Sequence, residues 1–141
     1  MKLIFGHDEF IANAVGQALG VSIHPPYTAI GFADASEVIR GGAVFNNYNG
    51  SNIELTMFAP RAVTKGLIRA IVHYVFVQLE CNRLSARTKR SNKPAQVMLP
   101  KIGFKWEANL KAYYGKEKSN DAVLFCLDRK TALSKWSNDD R

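Results

Sequence analysis

Hydrophobic and polar residues recur along the chain with two periods, which predict helices and strands in turn. Apolar residues spaced three and four apart predict helices over 9–19, 66–80 and 93–102. Apolar and β-branched runs bounded by glycine, asparagine or aspartate predict strands over 2–5, 27–33, 38–45, 53–59, 84–88, 104–107 and 122–127. A last helical segment is predicted over 128–136. Asp8 is expected to cap the first helix, and Gly20 to end it.

The order of these elements is β-α-β-β-β-α-β-α-β-β, which defines the fold class. Hairpin strands come first and crossover helices follow, so an α/β (α+β) fold with a mixed central sheet and helices on both faces is expected. Residues 1–136 are expected to form one domain, and 137–141 a disordered tail.

Composition restricts the class of protein further. The chain has 141 residues, 47% of them hydrophobic and 22% charged, which is typical of one globular domain and excludes disordered or fibrous classes. No apolar run approaches the ~20 residues of a membrane span. Cys81 and Cys126 form no CxxC motif, and the three histidines show no ligand spacing, so no metal site is predicted. Such cysteine usage fits a reducing compartment, and a cytoplasmic location is expected.

Charge gives the first functional indication. Nineteen Lys and Arg residues against twelve Asp and Glu residues leave a net charge of +7. Such an excess favours an anionic partner, which leaves nucleic acid, a polyphosphate cofactor and an anionic surface open.

From 36 to 127 the sequence resembles the GNAT-type N-acetyltransferase superfamily. The resemblance is strongest to the ribosomal-protein alanine acetyltransferase branch and to short phage or prophage relatives. It rests on the order and spacing of several segments, namely 52–55 (NIEL), 74–79 (YVFVQL), 82–86 (NRLSA), Asn92, 101–104 (KIGF), 105–111 (KWEANLK) and Asp121. The resemblance implies a mostly antiparallel sheet, acetyl-CoA as co-substrate, and direct acetyl transfer to a primary amine in a ternary complex.

The turn before the long helix is the predicted binding site for the cofactor's pyrophosphate. A helix N-terminus presents unpaired N–H groups and the positive end of the helix dipole, and a small residue lets a phosphate approach the backbone. Arg61, Thr64, Lys65 and Gly66 are therefore candidate cofactor-binding residues. The alternative is that Thr64 simply caps the helix.

The resemblance assigns further cofactor contacts to the strand before this turn. In the similar fold that strand diverges from its neighbour, and its free backbone groups bind the pantetheine arm. Met57, Phe58 and Ala59 are the matching positions, and a backbone N–H of Phe58 or Ala59 is the expected oxyanion donor. Asn92 is either a further cofactor contact or only the N-cap of the helix at 93.

Glu54 is the candidate catalytic residue, because the resemblance places its strand beside the thioester and Glu54 matches a glutamate common in the resembled branch. An amine is mostly protonated at neutral pH, so a carboxylate near the thioester can act as its base. Alternation places Glu54 on a polar-leaning strand face, although a solvated glutamate at a strand start has the same pattern. The general acids usual in the resembled family are absent, because Leu99 and Ala95 occupy their positions.

The acceptor and two other function classes stay open at this level. A short first helix leaves an open acceptor side, which suggests a protein N-terminus or lysine as acceptor. A monomer or homodimer is expected. A basic run with interleaved aromatics favours nucleic-acid binding instead, and it comprises Arg83, Arg87, Lys89, Arg90, Lys93, Lys101, Phe104, Lys105 and Trp106. The missing acids also fit a catalytically weak or silent module that binds nucleic acid or a protein partner.

Overall fold

Seven strands and four α-helices form the described part of the chain, residues 2–59 and 63–136 of a computed structural model. The strands are β1 (Lys2–Ile4), β2 (Tyr27–Ala33), β3 (Ile39–Asn46), β4 (Asn52–Phe58), β5 (Arg83–Lys89), β6 (Lys105–Leu110) and β7 (Ala122–Asp128). The helices are α1 (Asp8–Leu19), α2 (Lys65–Val72), α3 (Lys93–Ile102) and α4 (Arg129–Trp136). A π-helical segment (His73–Gln78) and a 3₁₀ turn (Lys118–Asn120) complete the order.

All seven strands belong to one sheet with the order β1-β2-β3-β4-β5-β7-β6. Every neighbouring pair is antiparallel except β4 and β5, which run parallel. The mixed, mostly antiparallel sheet expected from the sequence is therefore confirmed. The central pair is parallel because the crossover through α2 returns the chain in the same direction.

Helices cover both faces of the sheet, as predicted. On one face α1 packs Ile11 and Val15 against Ala29 of β2 and Val44 of β3. Their strand neighbours point to the opposite face, where Phe45 joins a larger core with the remaining helices. The two faces are therefore unequal, and on the smaller one α1 packs over β2, β3 and β4.

The long helix predicted over 66–80 is only partly α-helical. Its first half is α2, and its second half is the π-helical segment, in which Leu79 N–H donates to the Tyr74 carbonyl at 2.9 Å. The wider turn keeps Val75 and Phe76 fully buried. An apolar period read from sequence does not separate two such helix types over six residues.

Two helix ends test the capping predictions. Gly20 ends α1 with a left-handed φ of 67°, as expected. Asp8 does not cap α1; its Oδ1 instead accepts a hydrogen bond from Ala29 N–H at 3.0 Å, which fastens the start of α1 to β2.

Across residues 2–59 and 63–136, no helix has the length and apolar character needed to cross a membrane. The predicted tail over 137–141 lies outside the described residues.

Candidate active site

The parallel strands β4 and β5 separate halfway along their length. They pair from Asn52 opposite Arg83 to Leu55 opposite Ala86, and the pairing stops there. β4 nevertheless continues to Phe58, still paired with β3 on its other side. The β5-facing edge of β4 beyond Leu55 therefore has no strand partner, as the resemblance implied.

A cavity of about 1030 Å³ opens where the two strands diverge. We call this cavity the cleft. Its walls are β4 from Glu54, β5 from Ala86, residues 18–24 at the end of α1 and the loop after it, the start of α3, and two tyrosines of the β6–β7 loop. Elements distant in sequence thus meet around the free edge of β4.

Glu54, the predicted catalytic residue, lines the cleft and is half-buried. Its Oε1 accepts a hydrogen bond from Arg87 Nη2 across the parallel pair, and a second from Asn47 Nδ2 at 3.1 Å. The carboxylate is thus a fixed, paired group rather than a solvated side chain at a strand start. This pairing holds it at the closed end of the cleft, where β4 and β5 begin to separate.

Met57, Phe58 and Ala59, the predicted contacts of the pantetheine arm, all line the cleft. Met57 and Ala59 pack against the larger core and Phe58 against the core under α1, so the side chains are anchored on both faces. The β5-facing backbone edge is left for another partner, because the side chains point away from the plane of the sheet.

The predicted pyrophosphate residues stand at the start of α2. Thr64 caps this helix, since its Oγ1 accepts from Leu67 N–H at 3.2 Å. Lys65 and Gly66 form the exposed first turn, and a Cβ built on Gly66 would meet nothing within 4 Å. None of the three lines the cleft. Arg61 lies outside the described residues.

Asn92 lines the cleft and also caps α3. Its Oδ1 accepts from Ala95 N–H at 3.3 Å, so the N-cap alternative describes its side chain. Leu99 is buried in the larger core and Ala95 lines the cleft, and neither can supply a proton.

Sequence reasoning missed Tyr113 and Tyr114, the two phenols that line the cleft within the described chain. Their rings meet edge to face, with centroids 4.9 Å apart. Burial raises the pKa of Tyr114, against a smaller opposing effect of the Arg87 guanidinium, so its hydroxyl stays protonated at neutral pH.

The tyrosine loop is held in place by Asp121. Its Oδ1 accepts from Ala112 N–H at 2.8 Å, and its carboxylate lies 3.9 Å from Arg90 Nη1. Tyr114 N–H donates to the Asn120 carbonyl at 2.9 Å. An aromatic pair inside a polar loop was the available sequence signal, because tyrosines in such a setting usually have a partner surface.

The basic run considered for nucleic-acid binding does not form a single free patch. Arg83 donates to both carboxylate oxygens of Glu107, and Arg87 donates to Glu54. Lys89 lines the cleft. Two of these cations are held in ion pairs and the third lies in the cleft.

The comparisons define the class of fold. The fold is the GNAT fold, a mixed seven-stranded sheet with helices, and solved N-acetyltransferase structures share it. No protein-family model matches the chain, and no curated protein matches its sequence.

Solved structures similar to this chain include spermidine N-acetyltransferase SpeG from Vibrio cholerae. A point mutant of SpeG matches with a TM-score of 0.75 and 13% identity, over 96% of this chain and 99% of that chain. A dodecameric structure of the enzyme in an intermediate state matches with a TM-score of 0.66 and 17% identity, over 77% of this chain and 68% of that chain. A complex of the enzyme with manganese ions matches with a TM-score of 0.63 and 18% identity, over 77% of this chain and 69% of that chain. The likeness is one of fold.

Proposed function

We propose that this chain is an acetyl-CoA-dependent N-acetyltransferase that moves an acetyl group to a primary amine in a ternary complex. The observation that carries the proposal is the early end of the β4–β5 pairing at Leu55, with the cleft beside it. A free parallel-strand edge between two buried cores is costly unless a ligand or water satisfies its backbone groups. An extended amide-containing arm can add to such an edge as a strand does.

The residues present fit acetyl-CoA as the co-substrate. Met57, Phe58 and Ala59 would hold the pantetheine arm through their backbone. Thr64, Lys65 and Gly66 would hold the phosphates, because the first turn of α2 is exposed, has a lysine and leaves open space where a Cβ would stand. The same proposal assigns Arg61 to the phosphates and Asn92 to the wall of the cleft.

Bound acetyl-CoA would supply a thioester whose carbonyl carbon the amine attacks. Glu54 would accept the proton of the amine, directly or through water, because it is the one carboxylate that lines the cleft in the described chain. A backbone N–H of Phe58 or Ala59 would stabilise negative charge on the carbonyl oxygen. Tyr114 would donate the proton that the leaving thiolate takes up, a role that the sequence left without a residue.

The acceptor that we propose is an amine on a protein or peptide. α1 has only 12 residues, so little chain covers the acceptor side, and the neighbours' printed substrate, spermidine, is the alternative amine. Membership of the ribosomal-protein alanine acetyltransferase branch, a cytoplasmic location and a monomeric or dimeric state stay predictions.

The test is thiol release from acetyl-CoA in the presence of peptide amines and of spermidine, with wild type and Glu54→Gln. We expect Glu54→Gln to bind acetyl-CoA as wild type does and to lower kcat about 100-fold. The loss should be greatest below the pKa of the acceptor amine, where the base is needed most.

Glu107→Gln is the matched control. It removes the same charge from the other arginine–glutamate pair of this sheet face, outside the cleft, and should leave kcat unchanged. Equal turnover of Glu54→Gln and wild type across pH would refute the role of Glu54. Acetyl-CoA binding without turnover on any amine would favour the silent module instead.

A further inference from the structure

Two cations stand side by side in the cleft on an aromatic support. Arg87 and Lys89 are alternate residues of β5 and therefore point to the same face of the sheet. The Arg87 Cζ lies 4.7 Å from the centroid of the Tyr113 ring, and the Lys89 Nζ lies 5.7 Å from that of Tyr114. Each ring thus stabilises one of the two positive charges, and both charges lie in the cleft.

The charges of the described cleft wall do not balance. Arg87 and Lys89 face a single carboxylate, Glu54, which already accepts from Arg87 and Asn47. The Lys89 ammonium reaches only the Gly20 carbonyl, at 3.5 Å, and no carboxylate of residues 2–59 and 63–136 pairs with it. One cation of the cleft therefore lacks an anionic partner.

This excess of positive charge should favour some classes of acceptor amine over others. A polyamine carries several ammonium groups, and each beyond the reacting one would approach Lys89 and Arg87 without a free carboxylate to receive it. An amine with a carboxylate close by instead places a negative charge between the two cations and relieves their mutual repulsion.

We infer that the acceptor is an amine with a carboxylate close to it, as at the N-terminus of an acidic peptide, and that Lys89 and Arg87 receive this carboxylate. The inference rests on the proposed function and names its substrate class. It makes Lys89 a specificity-determining residue, while the polyamine of the structural neighbours is the disfavoured acceptor.

Lys89 is better placed for the acceptor than for the cofactor's phosphates. Its ammonium lies against Gly20, at the end of α1, on the face of the sheet that α1 covers. The proposed phosphate site begins α2, and Leu67 of that helix packs in the core on the opposite face. The two positive sites are thus on different sides of the sheet.

Calorimetry in the presence of saturating coenzyme A tests this without turnover. The probes are the amide-capped tripeptides Ala-Asp-Ala and Ala-Asn-Ala, which are nearly isosteric and differ in charge, and spermidine. We expect the acidic peptide to bind about fivefold more tightly than the amide peptide at low salt. We expect spermidine to bind more weakly than either peptide.

Variants then identify the residue. Lys89→Gln should abolish the difference between the two peptides and leave the Kd of acetyl-CoA unchanged, and Lys89→Arg should restore it. Lys101→Gln removes the same charge outside the cleft and should keep the preference. Melting temperatures of all variants show that they fold.

Three results would overturn the inference: equal binding of the two peptides, tightest binding of spermidine, or weaker acetyl-CoA binding in Lys89→Gln. If wild type binds acetyl-CoA but shows no charge preference, only the inference falls. If acetyl-CoA does not bind at all, the proposed function falls and the inference with it.

Discussion

The two halves of the β4–β5 pair differ in what they face. In the first half, Ile53 and Leu55 lie beside Leu84 and Ala86, and all four side chains are buried in the larger core. In the second half the strands separate, and β4 offers its free edge from Thr56 onward to the cleft. One half stabilises the sheet, and the other leaves space for a ligand.

The two faces of β5 also differ in residue type. Leu84 and Ala86 face the larger core, whereas Arg87 and Lys89 follow the last residue paired with β4 and lie on the opposite face, which opens there into the cleft. Charged side chains are costly to bury without partners, so this part of β5 stays beside an open space rather than under a helix. A parallel pair can thus be structural at one end and functional at the other.

The largest expected effect breaks the proposed site and leaves the fold intact. Gly66→Glu places a negative charge where the phosphates should lie, and we expect about a 1,000-fold weaker Kd for acetyl-CoA by calorimetry. The fold should be stabilised, because a glutamate in the first turn suits the helix dipole and replaces a helical glycine.

Gly66→Ala is the control for this change. It adds only a methyl group in open space, so it should bind acetyl-CoA as wild type does and melt slightly higher. If Gly66→Glu bound acetyl-CoA with the affinity of wild type, the start of α2 would not be part of the cofactor site.

The second prediction compares the two halves directly on one strand. Leu55→Ala empties a buried position in the paired half, and should lower the free energy of unfolding by about 3 kcal/mol in urea denaturation. Met57→Ala, two residues on and half-buried, should cost about 1 kcal/mol. Its acetyl-CoA affinity should change little, because the proposed contact uses the backbone. Equal losses of stability in Leu55→Ala and Met57→Ala would contradict the distinction between the paired and unpaired halves of β4.

The smallest effect concerns the tyrosine loop at high pH. Burial raises the pKa of Tyr114 above its ordinary value of 10.0, so the folded state retains a proton that the unfolded state loses. That part of the stability is complete below about pH 10 and is lost as pH rises through the folded-state pKa. Tyr114→Phe cannot ionise there, and its melting temperature should fall less steeply above pH 10. If the melting temperatures of wild type and Tyr114→Phe fell equally steeply above pH 10, burial of the Tyr114 hydroxyl would be refuted.

Much of the fold was predictable, because its signals are local. Alternation and turn residues located β2 with both its bounds, and the 93–102 helix was also predicted with the bounds that α3 has. Glu54 was a candidate from its strand position and from the resemblance; it lies in the cleft, and its catalytic role stays a prediction.

The features that sequence reasoning missed depend on contacts between distant residues. Asp8 has the local pattern of a helix cap, yet its carboxylate binds Ala29 on another element. The tyrosines of the β6–β7 loop reach the cleft only because β7 pairs with β5 and β6 pairs with β7. The pairing of Arg87 with Glu54 likewise requires the parallel register of two strands separated by a crossover.

Hydrogen exchange of the β4 amides, with and without acetyl-CoA, tests the central claim most directly. The account predicts that acetyl-CoA slows exchange of those amides in residues 56–59 whose N–H groups face the free edge, and leaves residues 53–55 unchanged because β5 already pairs with them. Unchanged exchange in 56–59 under saturating acetyl-CoA would contradict the claim that this edge holds the cofactor.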